Sequence, residues 1–512
     1  MLQFVGFEDL KLMTFNAVPD LTLWDWLFES SSSPLQNKHP STLSGFTNAT
    51  TKERVRYDEV KNYATYLSTA LVHKLGLAAG ETVALFSPNS IWYPVAMFAT
   101  NRIGGLISGA SPAYNVEEMT YALQTAQAKV IMTAASSLSV AVPAARNAGI
   151  SNSHIILLEG QADGFLTVKD LLEFGQNKGN NQVAPYQIPA GRSNREVCGF
   201  LSFSSGTTGL PKAAMLETVV QYQISEMLLV PPILIRLLRD PIVQKYDLSH
   251  VRKFSSGAAP LSAEVIQALK IRFPNTGFKQ GYGMTESCSC ITAHPLDKST
   301  YEYAHRVGTI VASTEVKIVD PDTGKELGCN MSGEILSRGP QIVMGYLNNE
   351  KATRETFDAE QWLHTGDIGF IDSEGFITIT DRIKEMIKVK GIAVAPAELE
   401  DLLLGHPIVE DVAVGAIPDE YTGQRPKAYV VLKQDIRQNK TPGQILSLLD
   451  VIIDYVRKNK VRHKWITEAE MLDEIPKSAS GKILRRMLRQ TESEKGMKGR
   501  LIATRGDIKP KI

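Results

Sequence analysis

The sequence carries the run Ser204-Ser205-Gly206-Thr207-Thr208-Gly209-Leu210-Pro211-Lys212. Four hydroxyl side chains and two glycines fall within six residues, closed by a proline and a lysine. The apolar residues 197–203 ahead of it predict a buried strand, so the run is a strand-ending loop. Glycines let backbone approach a ligand closely, and consecutive N–H groups there form a concave anion site. Hydroxyls and a lysine add donors suited to phosphate oxygens. The lysine is not followed by Ser or Thr and the glycine spacing differs, which excludes the Walker pattern. On composition alone a polar surface loop remains the alternative.

With 512 residues the chain has length for several domains, each with its own core. A composition of 43% hydrophobic and 21% charged residues is that of an ordinary soluble protein. Lys+Arg and Asp+Glu both total 55, so no net field favours nucleic acid or an anionic membrane surface. Cys198, Cys288, Cys290 and Cys329 are scattered without zinc-site spacing and read as packing residues in a reducing compartment. No run reaches the apolar length of a membrane span. The early Glu8 and Asp9 argue against a secretory leader.

Strand-like and helix-like stretches alternate through the first part. Residues 21–28 alternate apolar and polar side chains and read as strand-like. Val60, Tyr63, Leu67, Leu71 and Leu75 recur at helical spacing, with Gly76 as the stop signal. Strands are predicted at 83–86, 129–133 and 155–158, with helices after Ser90 and from Tyr114. That alternation implies a doubly wound α/β architecture. Residues 370–377 read as a hairpin. From Arg382 the pattern becomes α+β: strand-like 383–389, a helix through 398–404 begun by Pro396, strands at 409–417 and 427–432, and a helix over 445–456.

Further motifs follow in order: Ser256-Gly257-Ala258-Ala259-Pro260, Gln280-Gly281-Tyr282-Gly283-Met284-Thr285-Glu286, His364-Thr365-Gly366-Asp367, Asp381-Arg382 with Lys384, Lys388, Lys390 and Gly391, and Pro476-Lys477-Ser478-Ala479-Ser480-Gly481-Lys482. Together with the opening loop they resemble the adenylate-forming superfamily, and Asp-Arg-Ile-Lys-Glu is similar to its CoA ligases. The resemblance implies a large N-terminal domain of doubly wound sheets over 1–381 and a small mobile α+β C-terminal domain over 382–512. It implies ATP, Mg²⁺ and coenzyme A acting on a small carboxylic acid, which becomes an acyl-adenylate and then a CoA thioester.

The resemblance also assigns roles. Ser204, Ser205, Gly206, Thr207, Thr208, Gly209 and Lys212 would hold phosphates. Gly257, Ala258, Ala259, Pro260, Gln280, Gly281, Tyr282 and Gly283 would border adenosine, with the Tyr282 ring available for stacking. Thr285 would reach the α-phosphate, and Glu286 would ligate magnesium, which favours one or two carboxylates plus phosphate oxygens. Asp367 would accept from the ribose hydroxyls, and Arg382 would reach the same nucleotide. Lys384 and Lys388 would approach the adenylate phosphate, and Lys390-Gly391 would border the pantetheine tunnel. Lys482 would bridge the attacking carboxylate and the α-phosphate as charge builds. Read singly, Thr-Gly-Asp is a turn and the alternate lysines a solvated strand face.

Two departures stand out. Ala479 replaces the family's proline. Lys212 and Gly257 lie only 45 positions apart, roughly half the family's usual spacing, so elements lining the acyl pocket are missing and sheet edges are expected to be exposed. Three readings stay open: a CoA ligase, an adenylating enzyme that loads a carrier protein, and an inactive nucleotide-binding remnant. Pro510-Lys511-Ile512 resembles a peroxisomal tripeptide, which leaves peroxisome or cytoplasm as the expected location. The surroundings of Cys288-Ser289-Cys290 resemble fungal-type ligases of secondary metabolism.

Overall fold

The computed structural model describes residues 19–31, 33, 45–202, 213–257, 261, 263–288, 290–390, 392–419, 422–477, 483–485, 487–488 and 500–504. Ser204, Ser205, Gly206, Thr207, Thr208, Gly209, Lys212, Ala258, Ala259, Pro260, Gly391, Lys482 and the terminal tripeptide lie outside the described residues. The chain divides into two compact units, Ala17–Thr207 and Thr208–Ile512.

In the first unit six parallel strands run in the order Leu166–Thr167, Ile155–Glu159, Ala128–Ala134, Thr82–Phe86, Leu106–Ala110, Phe200–Ser202. Successive side chains of a strand face opposite ways. Val83, Leu85, Val130, Met132 and Ile156 therefore meet helices Tyr57–Leu75, Tyr93–Arg102 and Val168–Gln176 on one side. Ala84, Phe86, Ile131 and Ile155 meet helices Val116–Thr125 and Leu138–Asn147 on the other. The sheet is doubly wound, and Thr82–Phe86 is buried along its whole length, which is why it reads as an unbroken apolar run.

Local chemistry sets the boundaries. Tyr57–Leu75 ends where Gly76 turns left-handed at φ 64°. Asn115 accepts from the Glu118 N–H while the Glu118 carboxylate takes the Asn115 N–H, closing the first turn of its helix reciprocally.

Two expectations are corrected. Residues 21–28 are not extended: Asp25–Glu29 is a wide helical turn, and Trp24 and Phe28, four apart, share its buried side. The strand ahead of the opening loop is Phe200–Ser202, at the sheet's edge with Phe200 45% exposed, so it is not buried.

The second unit carries three sheets. Parallel strands Glu226–Leu229, Lys253–Ser256 and Gly277–Tyr282 continue into antiparallel Thr292–Ala293 and Thr309–Ile310. Met227, Phe254 and Phe278 point to one face, which helices Ala213–Gln221, Pro231–Arg239 and Ala263–Arg272 cover. The other face carries Glu226, Ser255 and Lys279, joined by a 2.6 Å ion pair and a 2.6 Å hydrogen bond. On that face Leu228 of the edge strand is 83% exposed. A four-stranded antiparallel sheet follows, Glu315–Val319, Gly333–Arg338, Leu363–Ile371 and Ile377–Arg382.

The third sheet joins Ile392–Val394, Ile387–Val389, Val409–Asp419, Gly423–Leu432, Glu468–Met471 and Ile502–Thr504. Helices Pro396–Leu404 and Pro442–Asn459 pack on it through Leu399, Leu403, Leu449, Ile452 and Ile453. Strand-like 383–389 is corrected: Ile383–Glu385 is a tight helical turn and only Ile387–Val389 is extended. The cysteines are free thiols, and Cys288, Cys290 and Cys329 are exposed rather than packed, because they sit in loops. Among the described residues no helix is long and apolar enough to cross a membrane.

The partly buried Arg485 ties this region together. It forks onto Glu400 at 2.6 and 2.8 Å, reaches Glu385 at 2.5 Å and donates to the Val414 carbonyl. Nearby, Lys477 pairs antiparallel with Ile483. Removing one member of a buried pair leaves the other's charge uncompensated. Arg485→Met is expected to cost about 3 kcal/mol, and adding Glu400→Gln to return part of it, as read from denaturant midpoints.

Candidate active site

The site is built where the strands Lys253–Ser256 and Gly277–Tyr282 end side by side. In parallel sheets, ligands bind beyond the carboxyl ends of strands. Gly257 leaves the first strand beside Gly281, and a β-carbon built on it would stand 3.8 Å from the Gly281 carbonyl. Tyr282 closes the second strand, Gly283 follows, and Thr285–Ser287 is a single tight turn carrying Thr285 and Glu286. The Gln280 side chain points inward, its amide donating 2.5 Å to the Ala304 carbonyl inside the protein.

A defect in the antiparallel sheet aims the key carboxylate. Strand Leu363–Ile371 bulges against Gly333–Arg338 between Glu334 and Leu336, so Thr365, Gly366 and Asp367 fall out of regular pairing. Gly366 sits at φ 70°, where a side chain is disfavoured. The N–H groups freed by the bulge find other acceptors: Gly366 donates to Glu334 Oε1 at 3.1 Å and Asp367 to Thr365 Oγ1 at 3.1 Å. His364 Nδ1 lies 3.0 Å from the same Glu334, holding that carboxylate in place.

Asp367 is only 4% exposed. Tyr282 Oη donates to its Oδ2 at 2.7 Å, and Arg382 Nε donates to its Oδ1 at 2.9 Å from the directly paired position on the next strand. Burial, and behind it the charge of Asp367, pushes the Tyr282 phenol well above its ordinary range, so it stays a donor. A carboxylate offers about four lone-pair directions. Two are occupied, leaving acceptor capacity for a vicinal diol such as a ribose.

Glu286 accepts a 2.6 Å hydrogen bond from Tyr346 Oη. Among the described residues no group of three or more His, Cys, Asp or Glu could hold a metal ion. A single carboxylate fits Mg²⁺, which keeps most of its ligands as water and as the phosphate oxygens a bound nucleotide would bring. Lys388 and Lys390 are exposed at strand Ile387–Val389, between the buried Ile387 and Val389 and just past it. Lys390 is left-handed at φ 53° and donates its N–H to the Thr422 carbonyl. Lys388 makes no ion pair with a described residue; Lys384 lies in the turn Ile383–Glu385.

Thus Tyr282, Asp367 and Arg382 form one connected cluster, with Thr285 and Glu286 a few residues on. Sequence reasoning missed Tyr346, Glu334 and Thr365 as supports. Thr365 stood inside a quoted motif; Tyr346 and Glu334 act across long sequence separations and carried no signal.

Parallel strand ends beside a buried carboxylate with spare acceptor capacity are the arrangement of nucleotide-binding α/β enzymes. The AMP-binding enzyme family model matches residues 36–218 and 213–347, and the AMP-binding enzyme C-terminal domain model matches 398–482. The chain is 33% identical to 4-coumarate–CoA ligase-like 1 of Arabidopsis thaliana, covering 92% of this chain and 94% of that protein. It is 34% identical to 4-coumarate–CoA ligase 1 of Petroselinum crispum, covering 86% and 90%. The fold is similar to that of the anthranilate CoA ligase AuaEII in complex with anthranoyl-AMP, with a TM-score of 0.75 at 24% identity over 93% of this chain and 98% of that one. ATP-bound MatB from Rhodopseudomonas palustris gives 0.73 at 22% identity over 92% and 99%. The chain belongs to the AMP-binding enzyme family.

Two predictions follow from this geometry. Tyr282→Phe keeps the ring but removes a donor from a buried carboxylate, a loss of about 1–3 kcal/mol. Nucleotide affinity measured by calorimetry is expected to fall about five- to a hundredfold, with the fold retained. The second concerns Asp381, which accepts from the Arg382 N–H at 2.6 Å and from Ala397 at the start of helix Pro396–Leu404. Burial raises its carboxyl from 3.8 to about 6, with Glu385 adding to the rise and Arg485 opposing it. The folded state then holds the extra proton between those values, so the contribution to stability is full below pH 3.8 and is lost as pH rises to about 6. In Asp381→Asn the decline of the thermal midpoint across that window is expected to be shallower than in the parent protein.

Proposed function

We propose that the protein is an ATP-dependent acyl- or aryl-CoA ligase acting on a small carboxylic acid. The observation that carries this reading is the buried Asp367, held by Tyr282 and Arg382 with acceptor capacity left for a ribose diol. The names of the relatives, CoA ligases of 4-coumarate, favour coenzyme A over a carrier protein as acceptor.

In the first step a carboxylate oxygen attacks the α-phosphorus and the bond to pyrophosphate breaks. In the second the CoA sulfur attacks the acyl carbon and AMP departs. Asp367 and Arg382 grip the nucleotide, and Tyr282 keeps the Asp367 carboxylate aimed. Glu286 would hold Mg²⁺, which supplies charge neutralisation at the phosphates when bound. Ser204, Ser205, Thr207, Thr208 and Lys212 would donate to phosphate oxygens, and Lys482 to the oxygens gathering charge at the reacting phosphorus. Lys388, Lys390 and Gly391 would serve the thiol step. Rate comes from positioning and preorganised charge rather than covalent chemistry.

We further propose that the chain is short between 212 and 257. In support, the alignment with the Arabidopsis relative runs over 546 positions against 512 residues here. The family match falls in two stretches that meet at 213–218, and the edge strand Glu226–Leu229 leaves Leu228 exposed. The Pro510-Lys511-Ile512 ending supports a peroxisomal address, with cytoplasm as the alternative.

The test is carboxylate-dependent exchange of pyrophosphate into ATP across a panel of aromatic and fatty acids. Exchange is expected with an aromatic acid, falling about 10²–10³-fold in Lys482→Ala. Thioester appearing only when CoA is added separates this reading from carrier loading. A folded protein without exchange on any acid would mean an inactive remnant.

A further inference from the structure

Glu286 is gripped twice by one loop. The Val343 N–H donates to the Glu286 carbonyl at 2.9 Å, and Tyr346 Oη donates to its carboxylate Oε1 at 2.6 Å. That length is typical of a phenol bonded to an ionised oxygen, roughly twice as strong as a neutral pair. Among the described residues nothing donates to Oε2.

The loop is itself built to deliver the phenol. Tyr346 donates its N–H to Thr353 Oγ1 at 2.9 Å, and that hydroxyl donates onward to the Asn349 carbonyl at 3.0 Å. Asn349 in turn caps the helix Glu350–Thr356 through the Ala352 N–H. Gly345, at φ 141°, lies so near this brace that a β-carbon would come within 2.7 Å of the Thr353 methyl and 3.0 Å of its hydroxyl. Only glycine permits the approach that brings Tyr346 to Glu286.

We propose that Tyr346 is a positioning residue that fixes one oxygen of Glu286 and presents the other to a divalent cation bound with the nucleotide. The inference rests on the reading of the site as an ATP site. The physical gain is preorganisation. A glutamate turning freely about its last bond must be ordered when the cation arrives, and a hydrogen bond already made removes that cost. Partners that orient a ligating carboxylate typically alter metal affinity 10–100-fold when removed. A tyrosine that merely pinned its own loop would leave cation affinity unchanged on losing its hydroxyl.

The test measures Mn²⁺ binding by electron paramagnetic resonance in the presence of α,β-methylene-ATP, which cannot be cleaved at the reacting bond. Tyr346→Phe is expected to weaken Mn²⁺ binding about tenfold, with an unchanged thermal midpoint. The Mg²⁺ concentration for half-maximal pyrophosphate exchange is expected to rise in step, while the rate at saturating Mg²⁺ stays near the parent value. Thr353→Val, which removes the brace and not the phenol, is expected to shift Mn²⁺ affinity in the same direction. On a Glu286→Gln background Tyr346→Phe is expected to add nothing. Unchanged Mn²⁺ affinity in Tyr346→Phe, with the parent protein binding Mn²⁺ normally, overturns the clamp alone. A parent protein that binds no Mn²⁺ with the nucleotide analogue overturns the ATP reading and the clamp together.

Discussion

An ionised carboxylate shut away from water is tolerated only when donors surround it. Asp367 imposes that condition here. Its partners come from two different sheets, Tyr282 from the end of a mixed sheet and Arg382 from the neighbouring antiparallel strand. Meeting the demand of one side chain therefore sets the strand end Gly277–Tyr282 against the bulge at Thr365–Asp367. Apolar packing reinforces the same placement: Tyr282 rests on a cluster of Ile291, Val316, Ile318, Ile335 and Ile377 that joins both sheets. The cluster holds the sheets together, while the hydrogen bonds decide how the Asp367 carboxylate is oriented.

The same economy recurs in the C-terminal part of the chain. Lys427 is wholly buried, with Glu470 at 3.0 Å and Glu468 at 3.3 Å. Arg485 spans Glu385, Glu400 and a strand carbonyl. Such pairs are poor sources of net stability but strict about geometry, since any displacement leaves a charge without its partner. The Arg485–Glu385 pair ties the chain at residue 485 to the turn Ile383–Glu385. Lys388 differs, its side chain being exposed between the buried Ile387 and Val389.

The edge strand Glu226–Leu229 shows the opposite situation. One face is filled by Met227 and its helices, while Leu228 stands in water on the other. A polar network of Glu226, Ser255 and Lys279 gives that face its order. An open edge carrying a leucine is a pairing liability that proteins ordinarily cover.

Periodicity and capping made much of the fold legible from residues alone. Helix Tyr57–Leu75 with its Gly76 stop, the strands around 83–86 and 155–158, and helix Pro396–Leu404 follow from local patterns that act within a few residues. The motif order likewise pointed to the family, and it offered Tyr282, Glu286 and Asp367 as candidates for the site. Residues 21–28 misled because Trp24 and Phe28 fit either period, and only the partners available to those rings chose the helical turn. Residues 197–203 misled because an apolar strand looks alike at the edge and in the centre of a sheet. Tertiary structure alone decided that the Tyr282 phenol bonds to Asp367, that the Gln280 amide turns inward, and that Tyr346 reaches Glu286 across 60 positions. Contacts between residues distant in sequence depend on where the chain returns, and no local pattern encodes that.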